Sequence, residues 1–257
     1  MFLLKLFSRR WWFATLLVVA AIVVMTRLGI WQLDRLEQRR AFNAQVEWAR
    51  TQPMLDLNQE QPTNIMQMEW RPVQFAGEYD FANQIAVRNQ YHAGQYGYHI
   101  LTPLLSNPSI AKHSGQAPIA VLVDRGWIPA DGNSTPEDWH QYDVQGEVEV
   151  AGQIRLGQGK PAFGGIEDPV PADGSRLEVW NNADVEKIAL QLPYPILAVY
   201  IQEQPDPADE QPPIPFQPEI ELTEGPHFGY AMQWFIFASI LSIGYPFFVR
   251  KQESRQA

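Results

Sequence analysis

Two runs of apolar residues dominate the hydropathy pattern, one near each end of the chain. From Trp11 to Ile30 the only charge is Arg27, close to the end of the run, and from Phe228 to Val249 there is none. As a helix, about 20 residues rise about 30 Å, the depth of a bilayer's hydrocarbon core. The pattern therefore predicts transmembrane helices over 11–30 and 227–249. The first run is long for the apolar core of a signal peptide and lacks a convincing small-x-small cleavage site, which predicts an uncleaved anchor. The second is closed by a basic stop, Arg250, Lys251 and Arg255, as a membrane span is and a buried core helix is not.

Between the runs the period changes. Gln32–Arg50 contains no Gly or Pro and predicts a helical extension of the first span over 31–50. From Arg71 onward come RPVQFAGEY, QIAVRNQY, YHILTPL, IAVLVDRGWI, VEVAGQIRL and ILAVYIQEQ, β-branched or aromatic runs separated by turn residues. They predict an antiparallel sheet or small barrel. NNADVEKIALQL, with Asn182 or Asp184 as N-cap, predicts one helix among the strands. Loops are expected at Ser106–Pro118, Gly157–Arg176 and Gln204–Pro218. Six prolines in the last (205, 207, 212, 213, 215 and 218) predict an extended tether over 204–218 that returns the chain to the membrane. The expected fold class is a membrane α+β protein, with two transmembrane helices flanking a β-rich extracytoplasmic domain at 31–226.

Charge orients this arrangement. Lys5, Arg9 and Arg10 precede the first span and Arg250, Lys251 and Arg255 follow the second, so positive-inside logic places residues 1–10 and 250–257 in the cytoplasm. Arg35, Arg39 and Arg40 crowd the other end of the first span, but a large translocated domain largely escapes that rule. The domain then lies in the periplasm and the chain in the inner membrane. Net charge is −10 overall, with +4 in residues 1–30 and +2 in 250–257, which leaves −16 for the residues between. A domain this acidic repels phosphate backbones, which argues against nucleic acid as a partner. The absence of cysteine excludes disulfides, thiolate metal sites, covalent haem attachment and cysteine nucleophiles.

Catalytic signatures are missing: there is no G-x-S-x-G elbow, no H-E-x-x-H, no P-loop and no G-x-G-x-x-G after a strand. Histidines 92, 99, 113, 140 and 227 form no tight ligand spacing, and Glu167, Asp168 and Asp173 read as solvated charge in a Gly/Pro loop. His227 differs by its position. It follows Gly225 and Pro226 where the second span opens, since proline suits a first helical turn. A helix N-terminus disfavours cationic imidazole, and neutral imidazole is a competent metal or haem-iron ligand. At 100° per residue, Tyr230, Ala231, Trp234 and Ala238 fall within about 60° of His227. That face offers a ligand, two aromatic walls and small residues that admit a flat ring or another helix. Gln233 on its flank is a polar group in apolar surroundings. An interfacial His and Tyr anchoring the helix explains the same residues, and spacing alone does not decide.

Five segments carry a resemblance. They are Leu28-Gly29-Ile30-Trp31-Gln32 followed by Arg35; Gly77 and Tyr79; Arg88, Gly97, Tyr98, Pro103 and Leu104; Val123-Asp124-Arg125-Gly126-Trp127-Ile128-Pro129; and Gly225-Pro226-His227-Phe228-Gly229-Tyr230-Ala231-Met232-Gln233-Trp234-Phe235. In this order the chain resembles the surfeit locus protein 1 family of cytochrome oxidase assembly factors. It departs at Phe228 and Gly229, where leucine and serine are usual.

The resemblance implies a chaperone or carrier, not an enzyme, that binds or positions haem a for insertion into subunit I of a haem-copper (cytochrome c) oxidase. Haem a would be held transiently and received from haem a synthase as donor. It implies His227 as axial ligand to the haem iron, with Tyr230, Gln233, Trp234 and Trp31 as further cofactor contacts and Arg125 as a partner for haem propionates. Arg125 has a structural reading too: Gly126 at a bulge, Trp127 in the core and Arg125 holding a carboxylate. Trp31 reads equally as an interfacial anchor. Two rival functions stand beside the carrier, a haem-independent membrane tether for an oxidase assembly intermediate and a membrane-anchored periplasmic hydrolase.

Overall fold

The computed structural model describes residues 6–107, 119–159, 165–169, 175–206, 211–217 and 220–255. They fall into two compact units, one drawn from residues 1–45 and 220–257, the other from residues 46–219.

The first unit is a pair of long helices. Helix α1 spans Trp12–Arg50 as one piece, so the apolar run and the polar stretch behind it share a single axis. The second long helix, α4, spans His227–Ser254 and contains Pro246. Both are long and apolar enough to cross a membrane. They lie antiparallel, and contacts follow the seam from end to end. Trp11 Nε1 donates to Glu253 Oε1 at 3.1 Å, the Thr15 and Tyr245 hydroxyls stand 2.8 Å apart, and Gly29 abuts the Phe235 ring. Ala231, Ala238 and Val249 are the buried residues of α4.

The second unit is a mixed sheet of eight strands: β1 (Leu55–Asp56), β2 (Pro72–Tyr79), β3 (Ile85–His92), β4 (Gln95–Ser106), β5 (Ala120–Pro129), β6 (Glu147–Leu156), β7 (Val179–Trp180) and β8 (Val199–Glu203). Their order is β1-β2-β6-β8-β5-β4-β3-β7. Two short helices accompany them, α2 (Pro136–Trp139) and α3 (Val185–Ala189). In α3 the Asp184 carboxylate caps the helix by accepting from Lys187 N.

Each of the six sequence runs forms a strand, but the sheet is neither purely antiparallel nor a closed barrel. Three neighbours pair in parallel: β1 with β2, β7 with β3 and β8 with β5. The physical reason lies in the connections. Long segments, not hairpins, lead to β7 and β8, the latter by way of α3, and such crossovers return a strand in the parallel sense. The two-residue strands β1 and β7 end the sheet, although an extra pairing of Gly77–Tyr79 with Leu104–Ser106 curls it.

Strand β5 sits inside this sheet with all but its last residue buried. Because successive side chains alternate faces, Val121 and Val123 enter one core with Phe75, Leu104, Ile154 and Ile201. Leu122 enters another with Ile85, Leu101, Trp180 and Ile188. A strand covered on both sides reads as a continuous apolar run, as IAVLV does.

The proline-rich segment departs from a free tether where it is described. Ile214 exchanges two backbone hydrogen bonds with Trp127 (2.8 and 2.9 Å), Phe216 meets the His92 ring edge-on, and Gln217 Nε2 donates to the carbonyls of Gln202 and Glu203. Proline's missing N–H suits such an edge position.

Candidate functional site

The site forms where the water-side end of the first apolar run meets the start of α4. His227 is the first residue of α4, after Gly225 in a left-handed conformation (φ +67°) and Pro226. Its Nδ1 lies 2.8 Å from Gln32 Oε1. A carbonyl oxygen only accepts, so this bond requires a proton on Nδ1, and a neutral imidazole here would offer its lone pair at Nε2. A Cβ placed on Gly225 would stand 3.6 Å from Nε2, at ordinary contact distance. The ring is half-buried, oriented by one bond and open on its other nitrogen. Metal-binding histidines are commonly held in this way.

Gly29 and Gln32 lie one turn apart on α1. A Cβ on Gly29 would fall 2.6 Å from the Phe235 ring, so a larger residue would require that ring to move. Beyond the seam, arginines secure the entry to α4. Arg39 donates to the carbonyls of Thr223 (3.1 Å) and Glu221, and Asn43 to that of Thr223. Arg40 grips the Glu224 carboxylate through two nitrogens at 2.7 and 2.8 Å. That partner raises the Arg40 pKa and holds the Glu224 carboxyl below its ordinary range.

The remaining residues expected at the site separate. Trp31 is exposed, with the Arg35 guanidinium 5.5 Å from its ring centroid. Tyr230 and Gln233 are exposed on α4. Trp234 is half-buried and edge-on to Phe237 at 6.3 Å. Ala231 and Ala238, on the same face as His227, are buried.

Arg125 belongs to the other unit and is buried. It is the extra residue of a β-bulge, since Ile100 pairs with Gly126 and Leu101 with Asp124. Its guanidinium lies 5.0 and 5.1 Å from the Tyr79 and Phe81 ring centroids and donates to the Tyr142 carbonyl. Burial lowers its pKa, against the raising influence of Tyr79, Glu203 and Asp143. So placed, it presents no exposed guanidinium to a propionate. Gly126 has φ +115°, and a Cβ there would strike the Ile214 carbonyl at 2.2 Å.

The carboxylate of this strand belongs to Asp124, which sequence reading passed over. It receives His99 Nδ1 at 3.0 Å and the Gly126 N–H at 3.1 Å, all buried. One acid inside the apolar run IAVLVDRGWI was the available signal. Asp168 also departs from expectation. Rather than being solvated it is 3% exposed, and it accepts from the backbone N–H groups of Asn181 and Asn182 at 2.8 and 3.0 Å. It clips the loop to β7. Asp173 and His113 lie outside the described residues.

The second unit also has a cleft of about 520 Å³ with Glu78, Asp80 and Glu147 on its walls. Asp80 is already engaged by the Tyr194 hydroxyl at 2.5 Å. Among the described residues no three His, Asp or Glu side chains are placed to hold a metal ion.

The sequence profile of the SURF1 family matches residues 19–239, which take in most of α1, the first half of α4 and everything between them. The chain belongs to the SURF1 family. Surfeit locus protein 1 of Mus musculus is 26% identical over 192 residues, 69% of this chain and 56% of the mouse protein. A SURF1-like protein of Rickettsia bellii is 22% identical over 244 residues, 93% of this chain and 92% of its own length. An uncharacterised SURF1-like protein of Mycobacterium bovis is 26% identical over 244 residues, covering 92% and 83%. The chain spans little more than half the length of the mammalian SURF1 proteins it matches. Two of the segments that carry the SURF1 resemblance, Leu28–Gln32 and Gly225–Phe235, meet in the helix pair through Gly29 against Phe235 and Gln32 against His227.

Proposed function

We propose that this SURF1 family protein is an assembly factor for a haem-copper (cytochrome c) oxidase, anchored in the inner membrane by α1 and α4 with both termini cytoplasmic and the β-rich unit periplasmic. In this reading it acts as a carrier, not a catalyst. The helix pair receives haem a from haem a synthase and presents it to subunit I, with His227 as the axial ligand.

The observation that carries the proposal is the bond between Gln32 and His227. It fixes the imidazole tautomer and aims Nε2 away from the seam, past a glycine. The residues present therefore fit a haem through one oriented imidazole, with Tyr230 and Trp234 beside it. When bound, haem iron would be held through the His227 imidazole. Gln32 holds the ring, Gly29 makes room for the Phe235 ring of α4, and Arg39 and Arg40 pin the segment that leads into α4. A carrier must also release its cargo. A single imidazole ligand on a half-buried residue of a helix pair suits moderate affinity.

The test is an absorption spectrum of the full chain, purified in mild detergent from cells that make haem a, beside that of His227→Ala. The reduced haem a band is expected in the wild type and is lost or strongly shifted in the variant. Wild type free of haem that still supports oxidase assembly would leave a haem-independent tether as the function. Equal haem in both proteins would discard His227 as the ligand.

A further inference from the structure

We infer that Arg35, stacked on Trp31, binds the carboxylates of the cargo and thereby sets which way the amphiphilic cofactor points. This rests on the carrier reading above and assigns a chemical contact that the burial of Arg125 leaves vacant.

Three arginines crowd α1 just beyond the seam, and the structure divides their tasks. Arg39 and Arg40 are consumed by the segment before α4, through the carbonyls of Glu221 and Thr223 and the carboxylate of Glu224. Arg35 is exposed and bonds only the neutral Gln38 side chain, at 3.0 Å, with its guanidinium 5.5 Å from the Trp31 ring centroid. Among the described residues no carboxylate pairs with it. An aromatic face beneath a guanidinium restricts its orientations while leaving its forked edge free for a bidentate anion.

Helical geometry puts this arginine on the correct side. Around α1, Arg35 and Trp31 stand about 60° and 100° from Gln32, and Gly29 stands about 60° round the other way. Around α4, Tyr230 and Trp234 stand about 60° and 20° from His227, and Phe235 about 80° round the other way. Gly29 touches Phe235, so those two mark one flank of the seam. Trp31, Arg35, Tyr230 and Trp234 share the opposite flank.

Along the axis, Arg35 lies three residues past Gln32, about 4.5 Å further toward water. In the other direction a furrow of about 470 Å³ runs down the helix pair, lined by Met25, Phe237, Leu241 and Phe248 among others. Phe237 and Leu241 fall on the same flank as Tyr230. From water to membrane the flank thus presents a cation, an aromatic pair with the ligand histidine, and then hydrocarbon. Haem a has the matching gradient, with carboxylates at one edge and an isoprenoid tail at another.

The experiment titrates the purified full chain in micelles with haem a and with its propionate dimethyl ester, by difference absorption, in wild type, Arg35→Gln and His227→Ala. Arg35 is exposed, and an unchanged circular dichroism spectrum checks the fold of its variant. Loss of one charge-assisted contact predicts affinity for haem a about tenfold weaker in Arg35→Gln. The ester should bind wild type about tenfold more weakly too, and Arg35→Gln should then bind ester and free acid alike. Wild-type affinity in Arg35→Gln, or an ester penalty that persists in full in that variant, would place the carboxylates elsewhere and overturn the inference while His227 stands. No binding to wild type would overturn the carrier reading and this inference together.

Discussion

At the scale of single residues, the site depends on a glutamine. Gln32 lies at the end of the first apolar run, where a polar side chain reads as the start of water, yet its oxygen fixes the tautomer of a histidine 195 positions away. Removing an outer-shell partner of a ligating histidine typically costs 10–100-fold in affinity. Gln32→Leu is expected to weaken haem a binding by about that factor, measured by the same titration, while leaving the helix pair formed. An unchanged affinity would mean that the imidazole is oriented by something else. The opening of α4 at His227 was legible in the sequence, although an interfacial anchor explains a histidine there equally well. Gln32's specific role was not, since nothing in a linear sequence says which residue of a distant run faces which. Arg125 teaches the reverse lesson. Its neighbours Gly126 and Trp127 marked a bulge and a core position, and a residue between such neighbours follows them inward.

At the scale of elements, strand placement was legible because the second unit's β-branched and aromatic runs are long and bounded by turn residues. Pairing sense was not legible, and neither were β1 and β7, whose two residues each make too short a pattern to detect. The β4–β5 pair contains the most consequential of these long-range contacts. Burial of His99 alone would lower its pKa, but the charge and hydrogen bond of Asp124 outweigh burial and the pKa is raised. The folded protein thus binds a proton more tightly than the unfolded chain, whose histidine titrates near 6.5. The stability supplied by this pair is complete below pH about 6.5 and is lost as pH rises through the folded-state value. Denaturant unfolding from pH 5.5 to 8.5 should show that decline, and His99→Gln should flatten it. A wild-type curve that rises across the window would contradict the assignment.

At the scale of the whole molecule, the first unit is built from both ends of the chain and the second from its middle. The proposed topology is open to a clean test because the sequence has no cysteine. Single cysteines at Leu190, which is 73% exposed, and at Lys251 become the only thiols present. In intact spheroplasts a membrane-impermeant maleimide is expected to label Leu190→Cys, and to label Lys251→Cys only after permeabilisation. The opposite pattern would invert the orientation. The chain-wide arrangement also has a temporal side. At 5–20 residues per second, a ribosome needs about 10–40 s to travel from Gln32 to His227. Throughout that interval the nascent protein carries Gln32 without its partner His227. On the proposed carrier reading, loading would become possible only once α4 had been made, so chains abandoned partway would not compete for the cofactor.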